Sequence, residues 1–69
     1  MKIVLNGDSM EISEGASVAN LVEVLGLPDK GIAVAILKDP AWEVLPRSEW
    51  ETTLTDGARV EVVTAVQGG

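Results

Sequence analysis

The segment SVANLVEVLG, residues 17–26, decides the fold because it holds the only long helical pattern in the chain. Apolar residues recur in it at i, i+3, i+4 and i+7, so they share one face of a helix. These residues are Val18, Leu21, Val22 and Leu25. Ser17 is a favourable N-cap, Gly26 suits the left-handed position after the last turn, and Pro28 prevents the helix from resuming. The pattern predicts one amphipathic helix of about ten residues.

Short apolar or alternating runs on both sides of this helix have the pattern of β-strands. The predicted strands are residues 2–6, 9–12, 32–37, 42–45 and 59–64. The first two flank a Gly-Asp turn at residues 7–8 and predict a hairpin, while residues 47–51 are typical of a single helical or 3₁₀ turn. Residues 32–37 are apolar at both alternating sets of positions, which predicts a strand that is central or covered on both faces. Within it, Ala33 and Ala35 leave room for a close approach on one side.

The element order β-β-α-β-β-β predicts an α+β fold with one main helix packed across one face of a sheet. The compact solution is the ubiquitin-like β-grasp, a mixed sheet of roughly four to five strands with the first and last strands parallel in the middle. A ferredoxin-like arrangement would need a second real helix, and residues 47–55 are too short and polar to supply one. We therefore expect a β-grasp domain over residues 1–64, followed by a flexible C-terminal Gly-Gly tail, residues 65–69.

The tryptophans are assigned different environments. Trp50 lies four residues before Leu54 among polar neighbours, and both are expected to point into the core. Trp42 begins a short predicted edge strand, residues 42–45. Its ring either lies exposed as a contact for a partner or folds back over a small core.

Composition and charge exclude several classes of function. The chain contains no cysteine and no histidine, which removes disulfides, thiolate nucleophiles, imidazole bases and the commonest zinc ligands. It has 11 Asp and Glu against 5 Lys and Arg, a formal net charge of −6, so it repels phosphate backbones and anionic membrane surfaces. No apolar stretch could span a bilayer, and the N-terminus lacks a signal-peptide layout. We expect a cytoplasmic chain, a monomer when free, that is not an enzyme and binds no nucleic acid, membrane, metal or cofactor of its own.

The last residues, Ala65-Val66-Gln67-Gly68-Gly69, have two interpretations. One is a frayed end, where glycine is common. The other is functional, because residues without a Cβ can thread through a narrow channel and present the terminal carboxylate without obstruction. A free carboxylate is a poor electrophile and must first become a mixed anhydride with AMP. The chain has no glycine-rich phosphate loop, so a partner must carry out this activation.

Several motifs make the chain resemble the ThiS family of sulfur carriers in thiamin biosynthesis. They are the ending VVTAVQGG at residues 62–69, the sequence PRSEW at residues 46–50, and the Asp56-Gly57 turn before the last strand. A terminal Gly-Gly alone is shared with ubiquitin, molybdopterin-synthase small subunits and other sulfur carriers, so the combination carries the resemblance. The chain departs from the family at residues 37–42, where it inserts several residues in place of a tight turn between the third and fourth strands.

The resemblance implies that Gly69 is adenylated by a ThiF-type enzyme, which uses ATP and magnesium. The carboxylate is then converted to a thiocarboxylate with sulfur from a donor such as a cysteine desulfurase. Thiazole synthase, ThiG, receives this sulfur for the thiazole ring. Gly68 gives clearance, and the partner's channel holds Gln67 and Val66 by extended backbone contacts. Two alternatives stay open, a sulfur carrier for molybdopterin or another sulfur metabolite, and a non-catalytic β-grasp module that docks through its exposed sheet face or an edge strand.

Overall fold

The computed structural model describes residues 1–28 and 30–64. Within these residues the elements follow the predicted order β-β-α-β-β-β, with a 3₁₀ turn before the last strand. They are β1 Lys2–Leu5, β2 Asp8–Glu11, α1 Val18–Val24, β3 Ile32–Lys38, β4 Ala41–Leu45, the 3₁₀ turn Arg47–Glu49 and β5 Arg59–Thr64.

The strands form one five-stranded mixed sheet in the order β2-β1-β5-β3-β4. The central strand, β5, runs parallel to β1 and antiparallel to β3. The outer pairs, β1 with β2 and β3 with β4, are antiparallel hairpins. This topology confirms the predicted ubiquitin-like β-grasp, in which the first and last strands are parallel neighbours.

The core lies between α1 and one face of the sheet. Ile3, Val60 and Val34 come from the neighbouring strands β1, β5 and β3, and all three are fully buried. From the helix, Val18 and Leu21 are buried with them. Because side chains alternate between the faces of a strand, one set of strand residues enters the core and the other set lies on the opposite face. Of the two predicted alternatives for β3, the structure supports the central strand, because β3 lies between β5 and β4, and its second face carries exposed Ala33 and half-buried Ala35.

The segment after the 3₁₀ turn closes one side of the core. Trp50 is 5% exposed and Leu54 is 2% exposed. The indole Nε1–H of Trp50 donates to the carbonyl oxygen of Leu45 at 3.3 Å, so burial leaves its polar atom paired. The prediction that both side chains belong to the core is confirmed.

Reciprocal hydrogen bonds fix the start of α1. The Ser17 hydroxyl oxygen accepts from the backbone N–H of Asn20 at 3.1 Å, and the Asn20 side-chain oxygen accepts from the N–H of Ser17 at 3.0 Å. The helix ends at Val24, with Leu25 as its C-cap and Gly26 at φ 70°, so it is shorter than the predicted ten residues because the capping turn takes up the rest. No helix in residues 1–28 and 30–64 is long and apolar enough to cross a membrane.

The first hairpin turns one residue earlier than predicted. Leu5 pairs with Asp8, so Asn6 and Gly7 form the connection, at φ 49° and 87°. Positive φ at both positions is typical of the type I′ turn that Asn-Gly favours in hairpins. Asp8 therefore begins β2 and does not belong to the turn.

The second hairpin corrects the expectation of an inserted loop at residues 37–42. Leu37 pairs with Trp42, and Lys38 pairs with Ala41, so only Asp39 and Pro40 connect the strands. The two strands continue farther toward the turn than the sequence pattern indicates. Their last pair, Lys38 and Ala41, adjoins Asp39 and Pro40, and this run of residue types is typical of a turn. The connection is tight.

Candidate functional site

The residues that the sequence singles out for function follow β5. Gly69, Gly68, Gln67 and Val66 all lie outside the described residues, as does the proposed boundary at residue 65. The structure instead defines the platform from which this segment departs. Thr64 is the last residue of β5, and its surroundings form the candidate site.

The two neighbours of β5 support it over different lengths. On one side, β3 pairs along β5 as far as Thr64, which lies opposite Ile32. On the other side, the paired residues of β1 end with Leu5 opposite Val60. Because β1 turns away at this point, the end of β5 lacks a continuing parallel strand on the β1 side.

Asn6 occupies the place that β1 vacates. Its backbone N–H donates to the carbonyl oxygen of Val60 at 2.9 Å. Its side-chain oxygen accepts from the N–H of Val62 at 2.8 Å, and its side-chain Nδ2 donates to the carbonyl oxygen of Val62 at 3.1 Å. The amide therefore satisfies both backbone groups of Val62, as a paired strand would. Sequence reasoning missed this residue, although the Asn-Gly pair between two strand patterns is a strong hairpin signal.

A shallow groove of about 350 Å³ lies beside the end of β5 on the helix side of the sheet. Its lining residues are Leu5, Asn6, Leu25, Leu27, Val62 and Thr64. They supply apolar surface, one amide and one hydroxyl, and no titratable side chain. The groove can accommodate a side chain or backbone segment, and its lining offers no acid or base for chemistry.

The face of the sheet opposite α1 carries an apolar patch that reaches the end of β5. Its members lie side by side in the strand register, as Leu37 opposite Trp42, Ala35 opposite Val44 and Ala33 opposite Val63. We call these six residues, Ala33, Ala35, Leu37, Trp42, Val44 and Val63, the open-face patch. Contiguous exposed apolar surface of this kind marks interaction sites.

Exposure within the open-face patch is high at three of its four large members, while the fourth, Leu37, is half-buried. Val44 is 66% exposed, Val63 is 58% exposed and Trp42 is 47% exposed. Of the two interpretations of Trp42, the structure therefore supports the exposed ring and not the ring folded over the core. Ala33 and Ala35 have short side chains, so the patch is shallow along β3 and a partner surface can approach the β3 backbone closely.

Charged side chains do not gather into a reactive centre in the described part of the chain. No group of three or more Asp or Glu residues there could hold a metal ion. The ion pair between Lys38 Nζ and Glu43 Oε1 is 4.0 Å long, with both side chains more than half exposed. The organised features of the site are thus the Asn6 bonds, the groove and the open-face patch.

Comparisons with known proteins agree on one family. The model of the ThiS family matches residues 3–69. Among solved structures, the crystal structure of the thiamine biosynthesis protein ThiS from Geobacter metallireducens is similar to this chain with a TM-score of 0.79. The two sequences are 27% identical, and the match covers 100% of both chains. A search of curated proteins finds no match.

Proposed function

Because the chain belongs to the ThiS family, we propose that it is a sulfur carrier of thiamin biosynthesis whose working group is the carboxylate of Gly69. The observation that carries this proposal is the extent of the family match, which runs through residue 69 and includes the Gly68-Gly69 pair. The fold supports it, because the central strand of the sheet leads directly into that segment.

The chemistry proceeds in two steps on partner enzymes. A Gly69 carboxylate oxygen attacks the α-phosphorus of ATP, pyrophosphate leaves, and an acyl adenylate forms on a ThiF-type enzyme. In the sulfur-transfer step, the terminal sulfur of a persulfide on a donor such as a cysteine desulfurase attacks the carbonyl carbon, and AMP leaves. A thiol then attacks the donor's sulfur in the resulting acyl disulfide, which breaks the S–S bond and leaves a disulfide on the donor side. The product is a thiocarboxylate, which thiazole synthase uses as its sulfur source. ATP and magnesium belong to the activating enzyme in this scheme, and the carrier contributes its main-chain carboxylate.

The residues before Gly69 have positioning roles in this proposal. Gly68 has no Cβ, so it leaves clearance around the reacting carbon. Gln67 and Val66 lie extended in the partner's channel and are held through their backbone. The reacting group can therefore reach a buried active site while the folded domain stays outside.

We assign the open-face patch to docking on the ThiF-type enzyme. Val63 belongs to this patch and is the second-last residue of β5, so the chain outside the described residues begins beside it. An enzyme that accepts residues 65–69 in its active site must contact the domain at this end of β5. The exposed apolar surface there provides the area that such a contact buries.

Intact-mass spectrometry tests the proposed reaction. The protein is incubated with ATP, magnesium, a ThiF-type enzyme and a sulfur donor, and we expect the mass gain of one oxygen replaced by sulfur, localised to Gly69 by fragmentation. A matched control carries one alanine added after Gly69 and should stay unmodified, because the reacting carboxylate is displaced. An unchanged mass of the native chain, with an enzyme that activates another carrier in the same assay, would contradict the proposal.

A further inference from the structure

The side chain of Asn6 replaces a missing strand at the end of β5. In a regular sheet, the N–H and C=O of Val62 would both bond to the backbone of the neighbouring strand. Here β1 ends at Leu5, and both groups bond to the Asn6 amide at 2.8 and 3.1 Å. The pairing of β5 on this side therefore continues to within two residues of Thr64.

The type I′ turn does not by itself require this amide. Position 6 has φ 49°, a conformation that glycine adopts at least as readily as asparagine. Glycine at this position would keep the turn and would leave both backbone groups of Val62 without their partner. The side-chain bonds of Asn6 are thus separable from its role in the turn.

We propose that Asn6 is a positioning residue that fixes the direction in which the chain leaves β5 toward Gly69. This inference rests on the proposed function. Because β3 pairs with β5 as far as Thr64 on one side and Asn6 bonds to Val62 on the other, the last residues of β5 keep one course relative to the open-face patch. When the carrier docks through that patch, its terminal carboxylate is already aligned with the adenylation site. Loss of such alignment strongly lowers the rate of a reaction.

A matched control lies at the opposite end of β1. The Asp56 side-chain oxygen accepts from the backbone N–H of Lys2 at 2.8 Å, so it also ties the start of β1 to the segment before β5. Removal of the Asp56 side chain therefore loosens the contact between β1 and the start of β5, at the end of β5 remote from Thr64. Asn6→Gly removes two side-chain bonds at the end near Thr64, and Asp56→Ala removes one bond and one negative charge at the remote end.

The experiment measures adenylation by the ThiF-type enzyme as the formation of pyrophosphate at increasing carrier concentrations. For Asn6→Gly we expect kcat to fall by about tenfold while KM changes by less than about threefold, because docking is preserved and alignment is lost. Asp56→Ala should keep kcat within about twofold of the native value. Amide hydrogen exchange should show lost protection at Val62 in Asn6→Gly and retained protection there in Asp56→Ala.

Asn6→Asp is a second variant that keeps the fold if glycine does not. It retains the acceptor for the Val62 N–H but sets a carboxylate oxygen against the Val62 carbonyl oxygen, so its kcat should also fall below the native value. Equal kcat values for Asn6→Gly, Asn6→Asp and the native chain would overturn the inference, as would equal losses in Asn6→Gly and Asp56→Ala. Failure of the native chain itself to be adenylated would instead refute the proposed function, so the two failures are distinguishable.

Discussion

At the scale of single residues, Ser17 shows how one side chain stabilises the only α-helix in residues 1–28 and 30–64. Its hydroxyl accepts from the N–H of Asn20, one of the helix N-terminal donors that have no partner within the helix. We expect Ser17→Ala to lower the free energy of unfolding by about 1 kcal/mol. Urea denaturation measures the change, with the exposed Ser13→Ala as the matched control. Equal stability of the two variants would show that the cap contributes nothing.

Residue-level predictions succeeded where the partner is near in sequence. Ser17 and Gly26 were identified from their position relative to the helical pattern, and the spacing of Trp50 to Leu54 identified two core residues. Asn6 was missed because its side chain bonds to Val62, 56 positions away. Such a contact depends on which strands become neighbours, and hairpin signals alone do not report that.

At the scale of secondary-structure elements, β-strand ends were harder to predict than strand identities. β5 was predicted with its observed bounds because the Asp56-Gly57 turn clearly precedes its alternating residues. The predicted length of the connection between β3 and β4 was wrong, because Lys38 and Ala41 resemble loop residues in sequence yet pair in the sheet. The pattern of a strand depends on burial, and the ends of this hairpin extend beyond the core into solvent. Local composition therefore understated the strand lengths.

The β3–β4 hairpin also supplies the test of the open-face patch. Val44 and Val24 are almost equally exposed, at 66% and 65%, but only Val44 belongs to the patch. We expect Val44→Gln to weaken binding to the ThiF-type enzyme by at least about tenfold, because it places a polar side chain in an apolar contact. Val24→Gln, on the exposed side of α1, should change the Kd by less than about twofold.

Isothermal titration calorimetry measures both dissociation constants. Neither substitution changes the net charge, so long-range attraction is the same in the two variants. Circular dichroism confirms that each keeps the fold. Equal Kd values for Val44→Gln and Val24→Gln would mean that the enzyme docks on another surface of the domain.

At the scale of the whole molecule, the sheet order and the charge have complementary consequences. The strand that leads to Gly69, β5, is central, so neighbouring strands support it on both sides. The formal net charge is −6. Exposed acidic residues in the described part of the chain are Asp8, Glu11, Glu14, Glu23, Asp39, Glu43, Glu49, Glu51 and Asp56. They are distributed over the domain, whereas the six residues of the open-face patch are apolar and have an acidic neighbour in half-buried Glu61, which lies opposite Ala35. In the proposed docking, most of the charge therefore acts before contact and the patch acts within it.

This separation predicts how salt affects binding to the ThiF-type enzyme. Between about 0.1 and 1 M salt the Debye length falls from about 10 to 3 Å, which screens attraction between the acidic carrier and a basic partner surface. We expect the association rate constant, measured by stopped-flow fluorescence, to fall by about tenfold over this range. The dissociation rate constant should change much less, because the contact that must break is apolar. Glu14→Gln, which removes one charge remote from the patch, should reduce the salt dependence of association and leave dissociation unchanged. An association rate constant that is independent of salt would show that the acidity of the chain has no part in recognition.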